Sequence, residues 1–259
     1  MPLVPTQFLL DAAGVFNVRD LGPALSTSPL VGNATVLEDR IYRADGIHRT
    51  DAKGRDDIAA LGIRRVIDLR SAEEGEAEGR YSHPLVQVHE VPIVERIGDL
   101  ISQVGHDAAD LMLEHYHVMT AQNGPQFAAA LKVVAESLAQ GQPVVFHCAA
   151  GKDRTALVAA LLLSGMGVDD ETVATDYGRS AEAMPAMRAW FADHRSAVAT
   201  ERLARIGVAP ETMSKMMAAE PATMLALLGS LRRKHGSIGA YLADIGAEGS
   251  IEVIRRHLA

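Results

Sequence analysis

Three features of this 259-residue sequence predict an α/β fold, a largely parallel sheet flanked by helices with a C-terminal helical lid or subdomain. Short apolar runs open at Ile41, Val66 and Val144, and each gives way to small or charged residues. Helical patterns separate these runs, which joins the strands by crossovers and lets them pair in parallel. From Glu171 onward the pattern is helical throughout. Hydrophobic residues make up 48% of the chain, enough for a sizeable core. The expectation is a single domain over 1–259, with about 170–235 forming the lid.

In chain order, Met1 to Asp11 lacks the basic start and long apolar stretch of a signal peptide. No apolar run approaches membrane-spanning length, so no integral membrane association is expected and the sequence points to the cytoplasm. Asn17 to Gly22 forms a compact polar turn, and Ser26 to Asn33 reads as loop. Asn33-Ala34-Thr35 fits a glycosylation sequon but, without a secretory signal, is read as chance. Ile41 to Asp45 begins as a strand and ends in charge. Thr50 caps a helix from about Asp51 to Leu61, ended by Gly62. Val66 to Arg70 is a second strand ending in charge, followed by an acidic, Gly-punctuated stretch from Glu73 to Gly79. Val86 to Ile93 alternates as another strand. Residues 108–120 and 125–139 carry helical patterns. Later helices are expected over 170–181, 183–204, 210–217, 221–235, 237–244 and 248–258, with Pro185, Pro210 and Pro221 near starts or bends. The methionines gathered in this half suit core filling, or else an adaptable cover over the site.

The most informative stretch is Val144 to Thr155, VVFHCAAGKDRT. Its apolar run is a buried strand, and from Ala156 to Met166 the chain resumes as an apolar helix. The loop between begins at Cys148, the one cysteine in the protein. Ala149, Ala150 and Gly151 are small enough for the backbone to curl with N–H groups inward, and a helix N-terminus closes the ring, which makes an oxyanion site. Lys152 and Asp153 continue the ring. Arg154 can grip two phosphate oxygens with its planar fork. These surroundings favour a thiolate at Cys148, a nucleophile aimed at the bound anion. His147 would orient the loop, and the Thr155 hydroxyl can reach the sulfur and help it leave. In an open α/β sheet such a ligand sits at the carboxyl ends of the strands, where Cys148 falls. A buried structural cysteine beside a surface arginine is the plainer alternative, but it leaves the small-residue loop unexplained. A nucleotide-binding loop is excluded: Asp153 stands where Ser or Thr is needed, and no Gly lies five residues before Gly151.

His-Cys-x5-Arg-Thr resembles the signature of the cysteine-dependent protein tyrosine phosphatases. The Lys152-Asp153 pair, with Asn17–Gly22, Tyr42–Asp45, Val66–Ser71, Asp176-Tyr177 and the tail His235–Leu242, is similar to a bacterial subfamily of them. One departure is Gly178-Arg179-Ser180-Ala181, where that subfamily has a Leu-rich run ending in Asn. The resemblance implies an α/β core, a helical lid, no metal or cofactor, and activity on phosphotyrosine, with phosphoserine/threonine and phosphoinositides accepted by several members. Export by a signal-less route stays open on the same ground.

The chemistry expected is a phosphocysteine on Cys148, hydrolysed by water to release inorganic phosphate. The charge of the transition state is held by the loop N–H groups and Arg154. A general acid must protonate the leaving oxygen, and no Trp-Pro-Asp element is present. Asp153 is the first candidate and Asp68 the second; each could instead be an aspartate that orients an arginine. Lys152 suits a polyanionic headgroup at the mouth, or else is an exposed lysine setting the local field. Arg19, Asp20, Arg43 and Asp45 read as internal salt bridges. His115 and His117 point to different helix faces and make no metal pair. Arg232-Arg233-Lys234 reads as the basic last turn of a helix.

The substrate expected first is a phosphotyrosine protein or peptide. A lipid-headgroup (phosphoinositide) phosphatase and a phosphate-binding module without catalysis are the alternatives. A net charge of −8, from 33 acidic and 25 basic residues, argues against nonspecific nucleic-acid binding. A lone cysteine excludes an internal disulfide and a cysteine-rich metal site.

Overall fold

The computed structural model of the protein describes residues 14–31, 38–94, 108–194 and 218–258. The residues of Met1–Asp11, the Asn33 sequon, the helix expected over 210–217 and the end of that expected over 183–204 lie outside them. Five strands, β1 (Arg19–Asp20), β2 (Ile41–Ala44), β3 (Arg65–Asp68), β4 (Gln87–Glu90) and β5 (Val144–His147), form one sheet. Their spatial order is β1-β2-β5-β3-β4. β1 runs antiparallel to β2, and the other pairs are parallel. The largely parallel sheet read from the sequence is therefore present.

Register is what builds the site. Ala44 and Asp68 both lie opposite His147. The carboxyl ends of three neighbouring strands are thus level, and Cys148 leaves the central one between them. β5 is covered on both faces, as its unbroken apolar run requires. Val144 and Phe146 enter the main core, whereas Val145 meets Tyr42, Ile58 and Val66 on the other side.

That second face is covered by the 3-10 turn Ile47–Arg49 and by helix α2 (Ala52–Ala60), which follows the short α1 (Gly22–Leu25). Asp51, not Thr50, caps α2 by accepting from Gly54 N. α3 (Ala72–Glu78) occupies the acidic stretch after β3. The main core lies under α4 (Ala108–Gln122), α5 (Gly124–Ala139) and α6 (Asp153–Gly165). The remaining helices among the described residues are α7 (Asp170–Gly178), α8 (Ser180–His194), α9 (Pro221–His235), α10 (Ile238–Asp244) and α11 (Glu248–Leu258). No helix among the described residues is long and apolar enough to cross a membrane.

Within the span expected to form a lid, α7 and α9 bury Val173, Tyr177, Met224, Leu227 and Leu228 in the main core. Arg232 pairs with Asp170 and ties α9 to α7, so it does more than terminate a helix. α8 is different. Its Ala183, Met184 and Met187 form a separate cluster with Phe16 and with Ala150 of the loop.

Two elements depart from the pattern-based expectation. The polar turn at Asn17–Gly22 contains β1, two residues too short to show a period. The acidic stretch is a helix because Ser71 accepts from Glu74 N while Glu74 accepts from Ser71 N. This reciprocal capping box offsets the cost of Gly75.

Candidate active site

The loop after β5 is held from outside. The Ala149 carbonyl accepts from Gly46 N and Arg49 Nη1, each at 3.1 Å. The Ala150 carbonyl accepts from Asn17 Nδ2 at 3.1 Å, and the Gly151 carbonyl from Arg43 Nη2 at 2.8 Å. Because a peptide's carbonyl and N–H point in opposite directions, three tethered carbonyls turn their peptide N–H groups inward. Gly151 N donates to Cys148 Sγ at 3.2 Å, and Cys148 is 2% exposed.

Gly151 is required for two reasons. Its φ is +66°, and a Cβ there would lie 2.7–2.8 Å from the backbone of Ala44 and Asp45. The loop is pressed onto the end of β2, and no flexible side chain could give way.

His147 is fully buried, and burial lowers its pKa to about 3, so the ring is neutral. Its Nδ1 lies 3.1 Å from the Cys148 carbonyl. A carbonyl only accepts, so Nδ1 carries the proton. Thr155, in the first turn of α6, is fully buried, and its hydroxyl makes no hydrogen bond among the described residues.

Arg154 is gripped by Glu74 of α3, with Nη1 and Nη2 at 2.6 and 3.1 Å from the two carboxylate oxygens. Such a bidentate fork fixes the plane of the guanidinium. Glu74 escaped the sequence reading, although Ser71-x-x-Glu74 is a legible capping box.

Asp68 sits at the end of β3, fully buried. It accepts from Arg70 N, Nε and Nη2 and from Arg80 Nη1, at 2.9–3.0 Å. Burial pushes its pKa up, but the hydrogen bonds and charge of Arg70 outweigh that and hold it well below the carboxylate range. His147 Nε2 is 3.9 Å away.

Asp153, the first residue of α6, has a side chain 22% exposed. Its Oδ1 accepts from Lys152 Nζ at 2.8 Å and from Tyr116 Oη at 2.6 Å. Burial raises its pKa, and the charge and hydrogen bond of Lys152, with the bond from Tyr116, outweigh this and lower it. Lys152, read either as a charge at the mouth for a polyanionic headgroup or as an exposed lysine, is only 2% exposed. Attraction to Asp153 draws it in.

The expected internal salt bridges are present with other partners. Arg19 and Arg43 both pair with Asp176 of α7, and Asp45 pairs with Arg49. Asp20 accepts backbone N–H groups from Gly22 and Asp39 instead. Burial lowers the Arg43 pKa to about 10, leaving it cationic at neutral pH. A cavity of about 570 Å³ between α4, α9 and α10 is lined by none of the loop residues.

An α/β protein with a buried thiol at the floor of a strand-to-helix loop whose carbonyls are tied outward is the class that this fold and loop define. The chain belongs to the tyrosine phosphatase family: the sequence model of that family matches residues 10–259. It is 30% identical to the triple specificity protein phosphatase PtpB of Mycobacterium tuberculosis, over 88% of this chain and 94% of that protein. A tyrosine-protein phosphatase of Nostoc commune is 28% identical, over 91% of this chain and 79% of its own. A putative tyrosine-protein phosphatase of Cupriavidus necator is 26% identical, over 94% and 85%. The crystal structure of P. aeruginosa TpbA superposes with a TM-score of 0.31 and 18% identity, over 58% of this chain and 80% of that one.

Proposed function

We propose that the protein hydrolyses phosphate monoesters through a phosphocysteine on Cys148, with phosphotyrosine in a protein or peptide as the preferred substrate. The observation that carries this is the tethering of three successive loop carbonyls outward, by Arg49 and Gly46, Asn17 and Arg43. It leaves a ring of N–H groups around Cys148 Sγ, which favours the thiolate and fits the equatorial oxygens of a phosphoryl group. Ala149, Ala150, Gly151, Lys152, Asp153 and Arg154 form the substrate cradle.

In the first step the thiolate attacks phosphorus, the S–P bond forms and the bond to the ester oxygen breaks. Asp153 delivers a proton to the departing oxygen. In the second step water attacks phosphorus and passes its proton to the Asp153 carboxylate. The P–S bond breaks, Thr155 stabilises the leaving thiolate, and inorganic phosphate departs. Asp153 fits the acid role better than Asp68, because its side chain is partly exposed and Asp68 is wrapped by two arginines behind the loop. His147 and Asp68 then serve to hold the loop and the end of β3.

The name of the M. tuberculosis relative, a triple specificity phosphatase, supports a cradle open to phosphoserine and phosphothreonine as well. Lys152 lies beneath the surface beside Asp153, which favours a phosphopeptide over a polyanionic lipid headgroup.

The test is Cys148→Ser assayed beside the wild type on phosphopeptides, p-nitrophenyl phosphate and soluble phosphoinositides. Turnover falls by at least about 10³-fold, because a serine hydroxyl at this site is hardly ionised. Vanadate still binds through the intact N–H ring. Substantial turnover by Cys148→Ser overturns the mechanism, and a preference for phosphoinositides overturns the substrate class.

A further inference from the structure

Asp153 is one end of a buried hydrogen-bonded chain that the two-step mechanism leaves unused. Tyr116 of α4 and Tyr177 of α7 are 0% and 1% exposed, and their hydroxyls are 2.8 Å apart. Tyr116 Oη in turn lies 2.6 Å from Asp153 Oδ1. The direction of the chain follows from its end. An ionised carboxylate only accepts, so Tyr116 gives its single proton to Asp153, and its oxygen must then accept from Tyr177. The order is Tyr177 O–H to Tyr116 O–H to Asp153 Oδ1.

Lys152 Nζ approaches the same carboxylate oxygen, and no described residue donates to Oδ2. The two oxygens of Asp153 are therefore unequal. Oδ1 is saturated by two donors, which disfavours a proton there. Oδ2 is the oxygen free to carry one.

We propose that Tyr116, backed by Tyr177, is a positioning residue for the general acid: it pins Oδ1 so that the transferable proton sits on Oδ2, turned toward the leaving oxygen. This role rests on Asp153 being the acid. Both tyrosines come from outside the Cys148 loop, on helices that also belong to the main core. A carboxylate at the first turn of α6 would otherwise rotate about its side-chain torsions, and a fixed acid avoids that loss of orientation. Asp176, the neighbour of Tyr177, holds Arg43, which holds the Gly151 carbonyl. One turn of α7 thus steadies both the anion cradle and the acid.

Among the described residues, the charged and titratable groups that face Asp153 are Lys152, then Tyr116 and His115 of α4, with Tyr177 of α7 behind them and Arg43 acting on Tyr177. Removing the Tyr116 hydroxyl takes a donor from the carboxylate and raises the pKa of the acid. An acid loses activity as pH rises through its pKa, so the alkaline limb of kcat/KM moves to higher pH.

The experiment compares Tyr116→Phe, Tyr177→Phe and Asp153→Asn, and the double variant of Tyr116 and Asp153, on phosphotyrosine peptide and p-nitrophenyl phosphate across pH. Tyr116→Phe lowers kcat on phosphotyrosine by about tenfold, a part of the full acid contribution, and on the activated ester by less than about twofold. It also shifts the alkaline limb upward. Tyr177→Phe moves both readouts in the same direction by less, and it keeps the test valid should Tyr116→Phe fold poorly. Adding Tyr116→Phe to Asp153→Asn costs nothing further if the tyrosine acts through the aspartate. If Asp153→Asn is selective for the basic leaving group while both tyrosine variants leave selectivity and pH profile unmoved, the positioning role alone is overturned. If Asp153→Asn shows no selectivity, the acid assignment falls and the role of Tyr116 falls with it.

Discussion

Asp68, opposite His147 at the end of β3, and Asp153, at the start of α6, flank the loop that begins at Cys148, and the donors around them are arranged differently. Asp68 is fully buried, and donors from Arg70 and Arg80 occupy both of its oxygens. Asp153 has its donors gathered on one oxygen and part of its side chain open to solvent. A carboxylate coordinated on both oxygens by guanidinium groups is locked as an anion and acts as a structural counter-ion. One that is coordinated on a single oxygen keeps the other for proton traffic. The number of cations nearby matters less than which oxygen they reach.

Substitutions at the two positions should separate these roles. The largest effect is on stability: Asp68→Asn leaves the buried Arg70 with only Glu78, 3.6 Å from its Nη1, as a counter-charge and costs about 3 kcal/mol in denaturant unfolding. Turnover of all substrates then falls together, through a loosened loop. A loss confined to phosphotyrosine would transfer the acid role to Asp68. Next comes Asp153→Asn, which lowers kcat on phosphotyrosine by about 10²-fold and on p-nitrophenyl phosphate only a few-fold. Its stability cost is smaller than that of Asp68→Asn, about 1–3 kcal/mol, since the amide keeps its shape but removes a counter-charge from the buried Lys152.

A smaller, pH-dependent difference follows. The Asp68 pKa is depressed in the fold, so below the ordinary carboxylate range the unfolded chain binds the extra proton first. Its stabilisation is complete above about pH 4 and is lost as pH falls further. Wild-type unfolding free energy should therefore drop more steeply than that of Asp68→Asn between about pH 4 and pH 2. Parallel curves would mean that Asp68 is not held as an anion. The smallest effect is that of Lys152→Gln. Loss of the cation raises the Asp153 pKa and moves the alkaline limb of the pH profile upward, with kcat/KM at neutral pH changed by less than about threefold. A downward shift would show that Lys152 does not act on Asp153.

The strand, loop and helix of the candidate site were legible in the sequence because they are contiguous: the strand, Cys148, the small residues, Arg154 and the helix follow one another directly. The sheet was legible too, since Ile41, Val66 and Val144 open apolar runs that end in charge at one edge. What surrounds the cradle was not. Tyr116 lies 37 residues before Asp153 and sits in a helical pattern where an aromatic reads as core filling, which it also is. Arg19 and Arg43 were recognisable as salt-bridge residues, but Asp176 is 133 positions from Arg43, and no local signal pairs them. The span expected to form a lid shows a related limit. Helical periodicity reveals that α7 and α9 have a buried face, and it does not say that the face meets the main core. Glu74 could have been found from Ser71 three residues earlier, had Gly75 and the acidic run not obscured the cap.

Glu74 gives that small helix an importance beyond its size. The same Oε2 that accepts from Ser71 N also accepts from Arg154 Nη1, so helix start and arginine orientation share one atom. A seven-residue helix does not hold itself in water and depends on its cap and its neighbours. Fraying at Ser71 should therefore loosen the arginine in the same local opening, one that would disable the proposed phosphate capture while the sheet stays folded. Amide hydrogen exchange at Ser71 and Glu74 becomes a clock for that event. Oxyanions that engage Arg154 should change its rate with no change in the exchange of β5.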